Sequence, residues 1–506
     1  MAQSSALKTL AVQASHYSVA SLFGVIAGLV TFPLLTRVFS VADYGIMNLV
    51  AATLTVSVAL GKVGVQHSIL RYESEIRAGK GRYTMPQLYS TTQLGMLGTA
   101  ALVMLVVGVG AHVVPISWLG DARVRKLFSI ASFLIVVQVA ESAFVNFLRA
   151  EQKTTLLMKY NVAKKYLGLG LILVAVLWLS ATLTSFYAAT VVSEATAVAA
   201  LAVILYRSGT RPKPALAEFS PPLYRELLGF GIPMMIGYEL SGIVLAVGDR
   251  YVIAGMIGKT PLGLYGAAYN LCQYVQAVII TSVGQAVMPI YIKMWDDKGE
   301  AETSAFITRS LRTYALLAAP VVAGVAAVGP ELLPALASEK YASAAPVLSW
   351  VIAGMAVDGA NSMMGAGLFI HRKTRVIMAI VLSCAALNIG LNLVLVPRLG
   401  IVGSAIATLA SYSVAAVSLG TAGRRLLRVP IPWTTVLRAG VVAGIMYLAI
   451  VHVLPGHRLF TAAARITLGM PIYVVLMALV DADARAMLER PIHRLRRLRR
   501  AEREAS

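Results

Sequence analysis

The stretch LNLVLVPRLGIVGSAIATLASY, residues 391–412, holds the pattern that decides the fold. Two apolar runs flank a short connection in which Pro397 and Gly400 favour a tight turn. In the second run, Gly403 and Ala407 leave room for a neighbouring helix to approach closely. The stretch therefore predicts two membrane helices joined as a hairpin.

Apolar runs of this kind recur along the whole chain of 506 residues. A helix needs about 20 apolar residues to cross a hydrocarbon core, and these runs are too long for barrel strands. Backbone groups in lipid must pair within the protein, so we predict an all-α, polytopic membrane protein with about 14 transmembrane helices. The predicted helices cover residues 16–36, 45–70, 88–113, 126–148, 160–180, 184–206, 227–257, 263–291, 310–329, 346–370, 376–396, 401–423, 435–454 and 459–480.

The composition and the placement of basic residues agree with this class of protein. Hydrophobic residues make up 58% of the chain and charged residues 13%, about half the charged fraction of a soluble domain. Most of the 44 Lys and Arg residues fall on one side when the N-terminus is placed inside, so both termini are predicted to be cytoplasmic. In this count Lys164 belongs to the inner segments and Arg465 to the outer ones. Because the basic residues are spread over the inner loops, the net charge of +21 does not indicate nucleic-acid binding.

The chain divides into predicted lobes at a proline-rich segment, SGTRPKPALAEFSPP, because proline resists helix formation. Two dipeptides recur at similar offsets, Tyr44-Gly45 as Tyr265-Gly266 and Ala189-Thr190 as Ala407-Thr408. A duplicated six-helix bundle follows, with parallel repeats and the substrate between them. The predicted divisions are an N-terminal lobe 1–207, a cytoplasmic linker 208–222, a C-terminal lobe 223–423, two further helices within 424–480 and a basic cytoplasmic tail 481–506.

The basic tail has two interpretations. Leucines alternate with arginines in RLRRLRR, which suits an interfacial helix against anionic headgroups. The other interpretation is a topology anchor with no further role.

Four segments together resemble a known family of transporters. They are FPLLTRVFSVADYG (32–45), DRYVIAGMIGKTPLGLYGAAYN (249–270), ELLPALASEKYASAAPVL (331–348) and the hairpin 391–412. In this order they resemble the polysaccharide-unit flippases, the Wzx-type branch of the multidrug/oligosaccharidyl-lipid/polysaccharide (MOP) exporter superfamily. Related lipid II flippases carry arginines in the first helix, whereas residues 16–35 contain none. That cationic cluster is therefore not carried over.

The resemblance implies a flippase in the bacterial cytoplasmic membrane. Its substrate would be an undecaprenyl-diphosphate-linked oligosaccharide, turned from the inner to the outer leaflet for O-antigen, lipopolysaccharide or exopolysaccharide assembly. Membrane lipids and the polysaccharide polymerase machinery are the implied partners. The alternative is a cation-coupled multidrug or small-molecule antiporter of the same superfamily. Drug exporters there often use a carboxylate in helix one or seven, and only the seventh predicted helix has one, Glu239.

Charged residues inside predicted helices are the candidate functional groups, since each costs about 2.5 to 3.5 kcal/mol to insert. They are Lys62, Glu141, Glu194, Glu239, Asp249, Arg250 and Asp358. For substrate binding we assign Lys62, Gln66, Arg250 and Asn388, because an anionic diphosphate needs cations and hydrogen-bond donors. For ion coupling we assign Glu239, Asp358, Glu141 and Glu194, because a buried carboxylate can bind and release a cation. The alternative is that these groups pair across helices, with Asp249 neutralising Arg250.

Other classes of function lack their sequence features. A nucleotide-driven pump needs G-x-x-x-x-G-K-[ST], which is absent from the sequence. A glycan polymerase or ligase needs a large periplasmic loop, and every predicted outer loop is short. Seven histidines and two cysteines show no metal-ligand spacing. We therefore expect a protein that is not an enzyme, with no catalytic residue, metal or cofactor. Proton and sodium coupling remain equally open.

Overall fold

The computed structural model describes residues 21–80, 82–113, 121–208, 213–453, 459–481 and 485. Nearly all of these residues are helical, and none of them forms a strand. The helices are α1 Ser21–Val38, α2 Val41–Lys62, α3 Val65–Arg77, α4 Met85–Val113, α5 Arg123–Ala131, α6 Phe133–Ala150, α7 Thr154–Val174, α8 Leu183–Arg207, α9 Pro221–Met234, α10 Ser241–Met256, α11 Lys259–Val275, α12 Thr281–Leu336, α13 Ala345–Met364, α14 Ala366–Ile370, α15 Thr374–Gly423, α16 Trp433–Val453 and α17 Leu459–Val480. Short π-helical segments cover Ala175–Leu179, Met235–Leu240 and Gln276–Ile280. The basic tail lies outside the described residues, apart from Asp481 and Arg485.

The described helices confirm a polytopic membrane protein. Eleven of them are long and apolar enough to cross a membrane, or up to 12 if α9 and α10 form one bent span. Two spans of 50 residues each contain a glycine with non-helical dihedral angles, Gly299 in α12 and Gly400 in α15. The number of about 14 therefore stays a prediction. Large apolar side chains point outward, including Trp178 at 85% and Phe460 at 84% exposure, as expected of surfaces that face lipid.

The hairpin predicted at residues 391–412 is present within α15. Gly400 has φ +59°, a left-handed conformation that breaks the helix. Gly403 lies so close to the Leu395 carbonyl that a Cβ atom would overlap it. Ala407 is fully buried. The small residues therefore allow the close approach that the sequence predicts.

One predicted helix is wrong for an identifiable reason. Residues 45–70 do not form one helix, because Val63 and Gly64 both adopt positive φ and separate α2 from α3. The linker 208–222 stays a prediction, and α9 begins at Pro221. There Ser220 caps the helix through the backbone N–H of Leu223, and proline is tolerated where no N–H is needed.

The chain forms two compact units. Unit 1 comprises Met1–Ala267 and Thr374–Ser411, and unit 2 comprises Ala268–Lys373 and Tyr412–Ser506. In unit 1 the rings of Tyr89 and Phe147, on α4 and α6, pack with centroids 5.1 Å apart. In unit 2, α16 and α17 share a core that includes Met446 and Tyr473. The predicted lobe boundaries stay a prediction, since compactness does not test duplication.

Candidate functional site

A break in the first part of unit 1 exposes the candidate site. Lys62 is the last residue of α2, and Val63 and Gly64 follow with φ +45° and +72°. The chain then re-enters helix, so Gln66 and His67 lie in the first turn of α3. Polar groups that a continuous helix would have distributed along one face are thereby gathered at a single corner.

Close backbone contact holds this corner against α9. A Cβ atom added to Gly231 would lie 2.7 Å from the Gly64 carbonyl carbon, far inside van der Waals contact. The Ser68 hydroxyl donates to the Leu227 carbonyl at 3.0 Å. Only residues without side chains allow helices to meet this closely, so the break and α9 have a fixed register.

A second irregularity in the backbone positions the carboxylate of Glu239. Pro233 lies inside α9, and the π-helical segment Met235–Leu240 follows it. Proline removes a backbone donor and widens the turn, and π segments occur frequently at functional sites. The axes of the flanking helices differ by 47°. Glu239 lies in this segment, at the bend between α9 and α10.

Three polar side chains from the α2–α3 corner contact the carboxylate of Glu239. Its Oε1 atom is 3.1 Å from Lys62 Nζ, and its Oε2 atom is 3.3 Å from His67 Nε2. Gln66 Nε2 donates a short hydrogen bond to Oε2. These four residues form what we call the Lys62 cluster. Two predicted substrate ligands and one predicted coupling residue are thus brought together.

The Lys62 cluster is neither sealed nor fully open. The side chains of Lys62 and Glu239 are 20% and 17% exposed, so a ligand can reach both. One lysine and one glutamate neutralise each other, and protonation of His67 would leave a net positive charge. Sequence reasoning missed His67, whose only signal was its position beside Gln66.

A second polar cluster joins Glu141 and Glu194. Lys164 Nζ makes a short ion pair with Glu141 and lies 3.7 Å from Glu194 Oε1. Tyr160 donates to Glu141 at 3.0 Å, and Gln138 donates to Glu194 at 2.9 Å. Lys164 was counted with the inner-loop residues, but it lies within α7, in a candidate membrane span. Two predicted coupling carboxylates therefore share one lysine.

The other predicted site residues of unit 1 lie outside these clusters. Arg250 is 6% exposed and donates to Asp249 at 3.1 Å and to the Ala246 carbonyl at 2.8 Å. The hydroxyl of Tyr265 donates to the same aspartate. Asn388 is fully buried and accepts from the Asn392 amide at 3.1 Å. The role of Arg250 and Asn388 in substrate binding stays a prediction.

Asp358 belongs to unit 2. It accepts a hydrogen bond of 3.0 Å from Asn361 one turn later. Helices α12, α13, α15 and α16 of this unit also enclose an apolar cavity of 870 Å³. Among the described residues, no group of three or more His, Cys, Asp or Glu side chains could hold a metal ion.

Comparison with known proteins identifies a related family. A family model described as "Polysaccharide biosynthesis protein" matches residues 34–346, more than half of the chain. An uncharacterised membrane protein of Methanocaldococcus jannaschii is 26% identical over 200 residues, which are 38% of each chain. The match therefore spans less than two fifths of the length of that curated relative.

Solved structures of similar fold are transporters. The lipid II flippase MurJ, in an inward closed conformation, has a TM-score of 0.74 at 15% identity, over 92% of this chain and 99% of that chain. An inward-facing multidrug resistance MATE family transporter of the MOP superfamily has a TM-score of 0.64 at 15% identity, over 80% and 94%. A MOP superfamily transporter from Pyrococcus furiosus has a TM-score of 0.57 at 15% identity, over 82% and 95%. At this level of identity the likeness establishes the fold.

Proposed function

Because the chain belongs to the polysaccharide biosynthesis protein family, we propose that it is a flippase for undecaprenyl-diphosphate-linked oligosaccharide units. It moves them from the inner to the outer leaflet of the bacterial cytoplasmic membrane by alternating access, for O-antigen or exopolysaccharide assembly. It acts as a transporter and not as an enzyme, and both termini lie in the cytoplasm. The polysaccharide polymerase machinery receives the units it delivers.

The Lys62 cluster is the observation that carries the proposal. A diphosphate is recognised by cations and by hydrogen-bond donors. Lys62 supplies the charge, Gln66 supplies amide donors, and His67 supplies a second cation when protonated. Charged side chains are costly in a membrane-spanning protein, and their presence therefore favours a functional role. A neutral drug would gain nothing from a reachable lysine, and a cationic drug would have to compete with Lys62 for Glu239.

Glu239 gives this site an exchange mechanism. Without substrate, the glutamate neutralises Lys62 at 3.1 Å. When a diphosphate arrives, it competes for the same ammonium group, and Glu239 is released as Lys62 changes partner. Protonation of the released carboxyl would prevent it from returning before the substrate leaves. Proton uptake and substrate binding are thereby linked at one side chain.

A cation-coupled antiporter is the second candidate function. The Glu141–Lys164–Glu194 cluster supports it, since its two carboxylates can bind a coupling cation in exchange for Lys164. The same cluster also fits a flippase driven by a cation gradient. The transported molecule, and not the coupling, therefore separates the two functions.

Deletion of the gene provides the decisive experiment. We expect cells without the protein to accumulate an undecaprenyl-diphosphate oligosaccharide that is inaccessible from outside intact spheroplasts. Restoring the wild-type chain should remove the accumulated lipid, and the Lys62→Ala variant should not. Unchanged lipid-linked oligosaccharide together with altered export of drugs would overturn the flippase proposal and support the antiporter.

A further inference from the structure

Unit 2 contains a pocket with two arginines at its wall that the proposed function does not use. The pocket has a volume of 520 Å³ and is lined by residues of the first half of α12 and of the segment before α16. Its hydrogen-bonding side chains are Arg309, Arg312, Thr308 and Ser304, and the Ser304 hydroxyl donates to the Arg428 carbonyl. We call it the Arg309 pocket.

The two arginines differ in how they are held. Arg312 donates to the Thr435 hydroxyl at 2.9 Å, and its Nη2 atom is 3.9 Å from Asp481. The side chain of Arg309 makes no hydrogen bond or ion pair with any described residue. The buried hydroxyl of Thr308 likewise has no partner among them. One fixed cation, one unpaired cation and one unpaired hydroxyl therefore meet at the same pocket, which suits a phosphate.

The Arg309 pocket adjoins the apolar cavity of 870 Å³. Pro432 lines both spaces. Small residues keep the cavity open, and Cβ atoms added to Gly440 or Gly444 would meet nothing within 4 Å. A ligand that fills both spaces has an anionic head and a hydrocarbon tail.

Trp433 indicates the depth of the junction. This side chain is 59% exposed and lines the apolar cavity next to Pro432. Tryptophans of membrane proteins are enriched at the level of the headgroups. The cationic pocket is thus at headgroup level and the cavity extends towards the hydrocarbon.

We propose that the Arg309 pocket and the adjoining cavity bind an anionic phospholipid of the bilayer, with its phosphate between Arg309 and Arg312 and an acyl chain in the cavity. The charges are complementary, and the site faces the predicted cytoplasmic leaflet, where anionic lipids bind basic side chains. Under the proposed function, the carrier's own diphosphate is bound by the Lys62 cluster of unit 1. A resident lipid is therefore the occupant that fits the second cationic site.

Lipid binding by the purified, delipidated full-length protein tests the proposal without a transport assay. The probes are dioleoyl phosphatidylglycerol and dioleoyl phosphatidylcholine, and the readouts are bound lipid by native mass spectrometry and the shift in Tm. We expect wild type to retain phosphatidylglycerol and to gain Tm with it, but not with phosphatidylcholine. Arg309→Gln should weaken this binding about fivefold, the effect of one basic residue at an anionic headgroup.

Two further variants separate charge from shape. Ala305→Trp fills the pocket and keeps both arginines, and Gly440→Leu fills the cavity; each should reduce phosphatidylglycerol binding. Arg424→Gln removes an exposed arginine outside the pocket and is the matched control, which should bind normally. Lys62→Ala should also bind normally, whatever it does to transport, so failure of the flippase proposal would not be mistaken for failure here.

Four results would overturn the proposal. The first is equal binding of the two lipids, and the second is an equal loss in Arg309→Gln and Arg424→Gln. The third is displacement of phosphatidylglycerol by equimolar undecaprenyl phosphate, which would assign the site to the carrier lipid. The fourth is the same gain in Tm with inorganic phosphate alone, which would indicate a small-anion site.

Discussion

The Lys62–Glu239 pair of unit 1 and the Glu331–Arg465 pair of unit 2 have the same chemistry but different surroundings. The Lys62 and Glu239 side chains are 20% and 17% exposed, and they lie at a helix break and a π segment. Those of Arg465 and Glu331 are 5% and 2% exposed and lie on α17 and α12. Arg465 also donates to the Ala327 carbonyl at 2.8 Å.

Under the proposed function, this difference separates a structural ion pair from a functional one. A sealed pair cannot exchange partners, so it acts on stability, and removal of one member strands the other charge. A reachable pair can change partners with a ligand, and water compensates part of its loss. The Lys62–Glu239 pair is reachable because its side chains keep about a fifth of their surface exposed.

The largest effect should come from breaking the sealed pair. We expect Arg465→Ala to lower the free energy of unfolding by about 3 to 5 kcal/mol, because Glu331 loses its buried partner. Thermal unfolding of purified protein measures this, and membrane levels should fall with it. The double variant Arg465→Met/Glu331→Met should recover much of the stability. A stable Arg465→Ala protein would contradict the assignment.

Lys62→Ala should come next, with an effect on transport and little effect on stability. Loss of one charged hydrogen-bonding partner corresponds to binding roughly tenfold to a hundredfold weaker, so export of lipid-linked oligosaccharide should fall severely. Lys62→Arg keeps the charge and should retain part of the activity. Full polysaccharide export by Lys62→Ala, at normal membrane levels, would rule out the proposed phosphate site.

Glu239→Gln tests exchange within the reachable pair. The glutamine cannot take up a proton, so we expect slower transport with weaker dependence on pH. Since both residues act in one step, Glu239→Gln should add little to the defect of Lys62→Ala. Asp358→Asn is the comparison in unit 2. If Glu239→Gln and Asp358→Asn, alone and together, leave rate, pH dependence and sodium dependence unchanged, coupling resides elsewhere.

The smallest effect should come from breaking an exposed ion pair at the surface. Lys298 and Glu302 lie 3.0 Å apart with side chains 54% and 60% exposed. Water and salt screen such pairs, so we expect Lys298→Ala to change the free energy of unfolding by less than about 0.5 kcal/mol and to leave transport intact. A change as large as that of Arg465→Ala would show that exposure does not govern these pairs.

The sequence was sufficient for the fold class and for part of the site. Apolar runs of membrane length and the Pro397–Gly400 turn depend on neighbouring residues only. They can therefore be predicted without knowledge of the tertiary contacts. The break after Lys62 was missed, because a β-branched residue such as Val63 rarely adopts positive φ. Lys62, Gln66 and Glu239 could be selected by the cost of polar groups in lipid. The contact between them could not be predicted, since 177 residues separate Lys62 from Glu239.

The basic-residue rule also has a specific failure. It counted Lys164 with the inner segments and Arg465 with the outer ones, although the predicted helices 160–180 and 459–480 contain them. Both lie within helices because carboxylates from other helices neutralise them. Such partners are long-range contacts that hydropathy does not encode.

The glycine pair beside the Lys62 cluster also restricts how this chain can vary. An alanine at Gly64 would overlap the Gly231 carbonyl, and an alanine at Gly231 would overlap the Gly64 backbone. Neither clash can be relieved by trimming the opposite residue, because both already lack a side chain. No single substitution at either position therefore has a compensating partner at the other. In a selection of random variants for transport, glycine should be retained at both positions, whereas the residues of the Lys62 cluster should vary more.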